Sequence, residues 1–202
     1  MKIVATIEAR MNSSRLPGKV LMDIGGLRSL ECQIRRMRRS RYIDEIIIAT
    51  TVNSCDDEIV DFSKNEGVAV YRGSENDVMS RILEAATSIN GDLQIQITGD
   101  CPLIDPVIID EVVQVYLESN GKYDFVSNEI KRSYPIGLDC RVFSTETLKI
   151  SNNICDDPIH RVHGSTFISD GSGSEFFSSI NVVAPKELYY PNYRWTIDEL
   201  DD

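Results

Sequence analysis

Apolar and polar positions alternate along this chain in two rhythms. Short β-branched runs at Lys2–Ile7, Glu45–Thr50, Val68–Tyr71, Leu93–Thr98 and Tyr123–Val126 read as strands. Between them, apolar residues recur at helical spacing over Ser29–Arg39, Asp57–Glu66, Glu75–Ile89 and Pro106–Glu118. Alternation of this kind predicts an α/β fold: a Rossmann-like, mostly parallel sheet with helices on both faces and right-handed crossovers. Gly67, Gly91 and Gly121 fall just past three of the helices, where a cap at positive φ is expected. Asp105, directly before Pro106, is placed to cap the fourth helix.

After residue 127 the alternation breaks down into a small excursion. "SYPIGLDCRVFS" reads as extended chain, "STETLKI" as a short helix capped by Ser144, and "FFSSINVV" and "YRWTI" as further strands. "SDGSGSE" reads as a turn, since strand-like segments flank it closely. The 202 residues are expected to form one domain, with a nucleotide-binding half over 1–127 and a substrate and dimerisation half over 128–202.

Charge narrows the function. With 32 Asp and Glu against 21 Lys and Arg the formal charge is −11, which argues against a general nucleic-acid binder. The basic run "RRMRRSR" spreads around its helix, with Ile34, Met37 and Ile43 supplying a buried side. Five cysteines without a CxxC pair fit reduced thiols and a cytoplasmic location. Neither a signal peptide nor a membrane span is expected.

Against that acidic background, "ARMNSSRLPGKVL" after the first strand packs Arg10, Arg15 and Lys19 beside Ser13, Ser14 and Gly18. It follows neither GxGxxG nor GxxxxGK[ST] order. Backbone amides freed by the serines and glycine, with forked arginines and a lysine, suit a polyphosphate at the carboxyl end of a strand. A second group is "QITGDCPLIDP": Thr98 and Gly99 end a strand where a nucleotide can press against the backbone, and Asp100 is a natural Mg²⁺ ligand. A third is "YRWTIDELDD", in which Asp198 can bring a second carboxylate to the same mouth. No serine or cysteine partner is identifiable for His160 or His163.

Taken with "IDEIIIATT", "YRGSENDVMSR", "ITGDCPLIDPVIID", "YDFVSN", "YPIGLDCRVFS" and "YRWTIDE", these motifs resemble, in order and over almost the whole chain, a family of sugar cytidylyltransferases. Its members activate sugars for cell-surface and spore-coat polysaccharides and are related to the synthetases of CMP-3-deoxy-manno-octulosonate and CMP-acylneuraminate. The resemblance implies a nucleotide-diphospho-sugar transferase-like fold and transfer of CMP from CTP to a sugar acid or sugar phosphate, with release of pyrophosphate. It further implies that Arg10, Ser14, Arg15 and Lys19 hold the triphosphate, that Arg72 lies near the base or ribose, and that Asp100 and Asp198 bind Mg²⁺. Lys19, Arg15 and Asp100 would be catalytic. Asn128, Tyr134, Asp139, Arg161 and His163 are the expected contacts to the small sugar substrate, and a homodimer is expected.

The chain departs from that family pattern at several places. Glu8 stands where glutamine is usual and sets a negative charge beside the triphosphate loop, calling for a neutralising arginine. "GGLRSLE" lacks the usual proline, Val162 replaces an acidic residue, and no proline lies near Thr166. Relatives continue with a further helix after "WTIDE", so a chain ending at Asp202 is expected to leave apolar surface uncovered and Asp198 poorly held. Two other readings stay open: a glycosyltransferase of related fold, for which "GDCP" supplies only one carboxylate of the acidic motif, and a relative that binds nucleotide without turnover.

Overall fold

The computed structural model describes all 202 residues as one seven-stranded sheet flanked by helices. In chain order the elements are β1 (Ile3–Glu8), α1 (Ser29–Met37), β2 (Glu45–Thr51), α2 (Asp57–Glu66), β3 (Ala69–Gly73), α3 (Val78–Ser88), β4 (Leu93–Thr98) and α4 (Pro106–Glu118). There follow β5 (Phe125–Ser127), β6 (Arg141–Ser144), α5 (Thr145–Ile154), α6 (Pro158–Val162), α7 (Thr166–Ser169) and β7 (Ser179–Asn181). Strand order is β3-β2-β1-β4-β6-β5-β7. The first four strands in that order are mutually parallel, and β6 alone runs antiparallel to its neighbours β4 and β5.

Central strands are apolar throughout because both faces are covered. Along β2 the side chains divide by parity: Ile46 and Ile48 join a core with Leu30, Ile34, Met37, Phe62 and Val112. Ile47 and Ala49 join a second core with Met79, Ile82, Phe143 and Leu148. Helices α1, α2 and α4 therefore cover one face, and α3 and α5 the other. Ile34 and Met37 form the buried side of the arginine-rich helix, as its spacing predicts.

Helix starts follow their caps. Asp105 accepts from the Val107 amide, and Ser144 from the Thr147 amide. Helix α3 begins three residues later than its sequence period implies, since Asp77 caps it through the Ser80 amide and leaves Glu75 in the loop before it. Gly67 and Gly121 adopt positive φ, whereas at the end of α3 Asn90 takes that conformation and Gly91 does not. Gly91 serves a different need: a Cβ there would sit 2.4 Å from a methyl of Val4. Two expected strands are shorter or absent. "FFSSINVV" contributes only Ser179–Asn181, and "YRWTI" only a single bridge between Arg194 and Ile136. No helix is long and apolar enough to cross a membrane.

Candidate active site

At the carboxyl end of β1 the chain enters a loop that folds back on itself. The Met11 carbonyl accepts the amides of Ser13 (2.9 Å) and Gly18 (2.8 Å), and Gly18 at φ +76 opens a single 3₁₀ turn, Lys19–Leu21. Fully buried Asp56 anchors the loop from outside, accepting the Met11 amide at 2.7 Å through one oxygen and the Thr51 amide at 3.1 Å through the other. The amides of Ser13 and Gly18 are therefore spent on the loop itself, contrary to the expectation that they approach a ligand. Those of Ser14 and Arg15 donate to no protein acceptor.

This loop lines a cleft of about 400 Å³. The opposite wall is the end of β4, where the Gly99 amide donates to the Glu8 carbonyl at 2.9 Å and a Cβ would lie 2.7 Å from that oxygen, so the close approach requires glycine. Asp100 accepts from the Thr98 hydroxyl at 2.5 Å and lies 3.2 Å from Lys19 Nζ. Burial opposes ionisation of Asp100, but the Lys19 ammonium, then the Thr98 hydroxyl, outweigh it and hold the carboxyl below its ordinary range.

Asp198 arrives from the far end of the chain. The Ile197 amide donates to the Asp100 carbonyl at 2.9 Å, which docks the C-terminal segment against the β4 loop. The Asp198 carboxylate then meets Lys19 Nζ at 2.6 Å and Arg15 at 3.0 Å. Far from being poorly held, Asp198 is 7% exposed, and its own amide donates to Asp202. Two carboxylates thus converge on one ammonium. Their hard oxygens fit Mg²⁺, which binds through one or two carboxylates and takes its remaining ligands from phosphates and water. No cluster of three or more His, Cys, Asp or Glu is assembled, so further oxygens would come from the nucleotide.

Of the residues singled out in the sequence, Arg10, Ser13, Ser14, Arg15, Lys19, Thr98, Gly99, Asp100 and His163 line this cleft, and Asp198 reaches it through Lys19. Arg72, Asn128, Tyr134, Asp139 and Arg161 do not line it. Arg72 is engaged behind it, donating to the carbonyls of Thr51 and Asn53 and pairing with Asp57. Asn128 is fully buried and bridges the Leu138 carbonyl and the Cys140 amide. Tyr134 is likewise buried; its hydroxyl donates to Glu111 at 2.9 Å, and burial, then Glu111, push its pKa up. Asp139 pairs with Arg132, and Arg161 binds Asp77 and the carbonyls of Asn152 and Cys155, tying α6 to α3. These polar groups satisfy buried or interfacial backbone or pair with other side chains, a use that residue type alone does not reveal.

Two cleft residues carry more weight than their sequence context indicates. Glu8 faces the cleft with its carboxylate accepting from the Gln96 amide, whose own carbonyl is taken by the Ser165 hydroxyl. Burial raises its pKa, opposed by Arg141, then Gln96 and Arg81. Arg81 lies 3% exposed on α3. Its position had a legible signal, since 78, 81, 82 and 85 share one helix face with Val78, Ile82 and Ala85 in the core.

Residues 4–150 match the family model described as cytidylyltransferase. A solved cytidylyltransferase from Leptospira borgpetersenii serovar Hardjo-bovis is 35% identical, aligning over 100% of this chain and 83% of that one with a TM-score of 0.92. The spore coat polysaccharide biosynthesis protein SpsF of Bacillus subtilis is 30% identical over 99% of this chain and 82% of its own length. The 3-deoxy-manno-octulosonate cytidylyltransferase of Geobacter sulfurreducens is 34% identical over 59% of this chain and 47% of its own length. The loop of cations facing a glycine-backed aspartate falls within the matched span, and the chain belongs to the cytidylyltransferase family of nucleotidyltransferases.

Proposed function

We propose that this enzyme transfers CMP from CTP to a sugar acid or sugar phosphate, releasing pyrophosphate, with Mg²⁺ held by Asp100 and Asp198. One observation carries the reading: Lys19 Nζ sits 3.2 Å from Asp100 and 2.6 Å from Asp198, beneath a loop that presents Arg10, Arg15 and two unpaired amides. That is a pre-built cradle for a polyphosphate and a divalent cation. The names of the relatives, one a 3-deoxy-manno-octulosonate cytidylyltransferase and one a spore-coat polysaccharide protein, support a sugar acceptor and a role in surface polysaccharide synthesis.

In this reading a sugar oxygen attacks the α-phosphorus in line with the departing pyrophosphate; the new O–P bond forms as the bond to the bridging oxygen breaks. No side-chain nucleophile takes part. Arg15 and Lys19 neutralise charge growing on the α-phosphate and pyrophosphate, and their fixed positions mean little reorganisation is needed as the reaction proceeds. Bound Mg²⁺ would add neutralisation of the same oxygens. Gly99 lets the end of β4 press against the Glu8 carbonyl at the cleft, and His163 lines the same cleft and would border the acceptor.

Exposed Leu188, Tyr189, Tyr190, Tyr193 and Trp195 near the C-terminus support pairing of two copies through the second half. Light scattering on the purified protein reads that state directly. The activity is tested by pyrophosphate release from CTP with Mg²⁺ and a panel of ulosonic acids and sugar phosphates. Release with at least one acceptor, abolished by chelation, is expected; CTP binding with no release across the panel refutes catalysis.

A further inference from the structure

Helix α6 brings two residues to the cleft wall, Val162 and, at its C-cap, His163, yet it has no buried residue of its own. Five residues are too few for a helix to stand alone in water, so contacts from outside must fix it. Apolar packing does little of this, since Ile159 is 67% exposed and Val162 43%.

Polar contacts do the rest. Arg161 Nε and Nη2 both donate to Asp77 Oδ2, at 2.8 and 2.6 Å. Nη2 also donates to the side-chain oxygen of Asn152 at 2.9 Å, and Nη1 to the main-chain carbonyls of Asn152 (3.1 Å) and Cys155 (2.9 Å). One guanidinium thus ties α6 to the start of α3 and the end of α5, a span its planar fork covers and a lysine ammonium does not. On the other side, His160 meets Asp170 at 2.7 Å and the Phe167 ring edge-on, joining α6 to the end of α7.

The arginine latch lies at the rim of the cleft. Asp77 directly precedes Val78, and Arg161 directly precedes Val162 and His163; these three neighbours all line the cleft. Asp77 serves both sides of the joint, its Oδ1 accepting the Ser80 amide at 2.9 Å to cap α3 while Oδ2 takes Arg161. Beyond His163 the chain seats on β4: a Cβ at Gly164 would sit 2.6 Å from the Gln96 amide nitrogen, and the Ser165 hydroxyl donates to the Gln96 carbonyl. The backbone of His163 is therefore fixed from both flanks. Its imidazole, unlike that of His160, takes no protein partner and is left for a ligand in the cleft.

We propose that Arg161 is a positioning residue: latched on Asp77, it fixes α6 so that His163 meets the sugar acceptor, and use of the acceptor depends on Arg161 although its guanidinium contacts only protein. The inference rests on the sugar-acceptor reading above. It separates the two substrates, because the latch holds the wall formed by α6 and leaves the Lys19–Asp100–Asp198 cluster untouched.

The test uses Arg161→Lys, which keeps the charge but cannot reach Asp77 and both carbonyls at once, and Asp77→Asn, which keeps the cap on α3 but turns an amide toward the guanidinium. Pyrophosphate release is measured with 3-deoxy-manno-octulosonate or, failing it, the panel member the parent turns over fastest. In both variants kcat/KM for the acceptor should fall roughly tenfold while KM for CTP stays within about twofold. A double-mutant cycle identifies the route: His163→Ala should cost a similar factor, and adding Arg161→Lys to it should cost little more. Unchanged acceptor kinetics in folded Arg161→Lys, or losses that multiply in the double variant, overturn the inference. Hydrogen exchange reads the latch without turnover, since the Arg161 and His163 amides, bonded to the Asp157 and His160 carbonyls, should exchange faster in Arg161→Lys while those of α3 do not. If the parent releases no pyrophosphate with any acceptor, the function proposed above fails, and exchange still decides whether Arg161 fixes α6: equal rates in parent and variant overturn it.

Discussion

Replacing Lys19 by methionine removes the one ammonium on which Asp100 and Asp198 converge. The side chain is similar in length and largely buried, so the packing is roughly kept and the charge is what is lost. Removing one partner of a buried ion pair costs about 3–5 kcal/mol. Here Arg15 still faces Asp198 at 3.0 Å, and water reaches part of both carboxylates, so the loss should be nearer ~2 kcal/mol. For a chain of this size that lowers the melting temperature by roughly 4–8 °C. The dependence on pH identifies the cause. Asp100 ionises more readily folded than at its ordinary value of 3.8, so it contributes stability above that value and loses it as pH falls through the folded pKa. Without Lys19 the desolvation of Asp100 is no longer outweighed, and its contribution at neutral pH shrinks. The gap between parent and Lys19→Met should therefore be widest near pH 7 and narrow as pH falls below 3.8 through the folded pKa of Asp100. Calorimetry across that range measures it. A gap of the same size at both ends would refute pairing of Lys19 with the two carboxylates as the source of the stability.

Asp100→Asn keeps the Thr98 contact but removes the charge proposed to hold Mg²⁺ and the pairing with Lys19, so pyrophosphate release should fall by about 10²-fold or more while circular dichroism stays near the parent's and the loss of about 1 kcal/mol lowers melting by roughly 2–4 °C. Tyr134→Phe deletes a buried hydroxyl that donates to Glu111 away from the cleft; a stability loss of about 1 kcal/mol with kcat/KM within about twofold is expected, and a selective rise in acceptor KM would return Tyr134 to the substrate site. Gly99→Ala forces a methyl to 2.7 Å from the Glu8 carbonyl, so β1 and β4 must part at the cleft; about 1–3 kcal/mol of stability should be lost, with weaker CTP binding by dialysis.

The α/β alternation, the ends of α2, β4 and α4, and the capping roles of Asp105 and Ser144 follow from local sequence, because each depends on apolar period or on one side chain bonding an amide two or three residues away. The cation loop and its facing aspartate were equally legible, since both lie at strand ends in a fold whose ligand sites gather there. Only the folded chain decides that β6 runs antiparallel between β4 and β5, a pairing of Leu93 with Ser144 that no local pattern encodes. The same holds for Asn128, Tyr134 and Arg161. Their polarity suits a sugar as well as it suits a buried carbonyl or carboxylate, and the packing chose the second. Lys19 and Asp198 stand 179 positions apart, and what joins them is the docking of the Ile197 amide on the Asp100 carbonyl. Sequence sets which charges the chain carries and which local elements present them. Their energies depend on separations of a few ångströms and on exclusion of water, quantities that exist only once distant segments have packed.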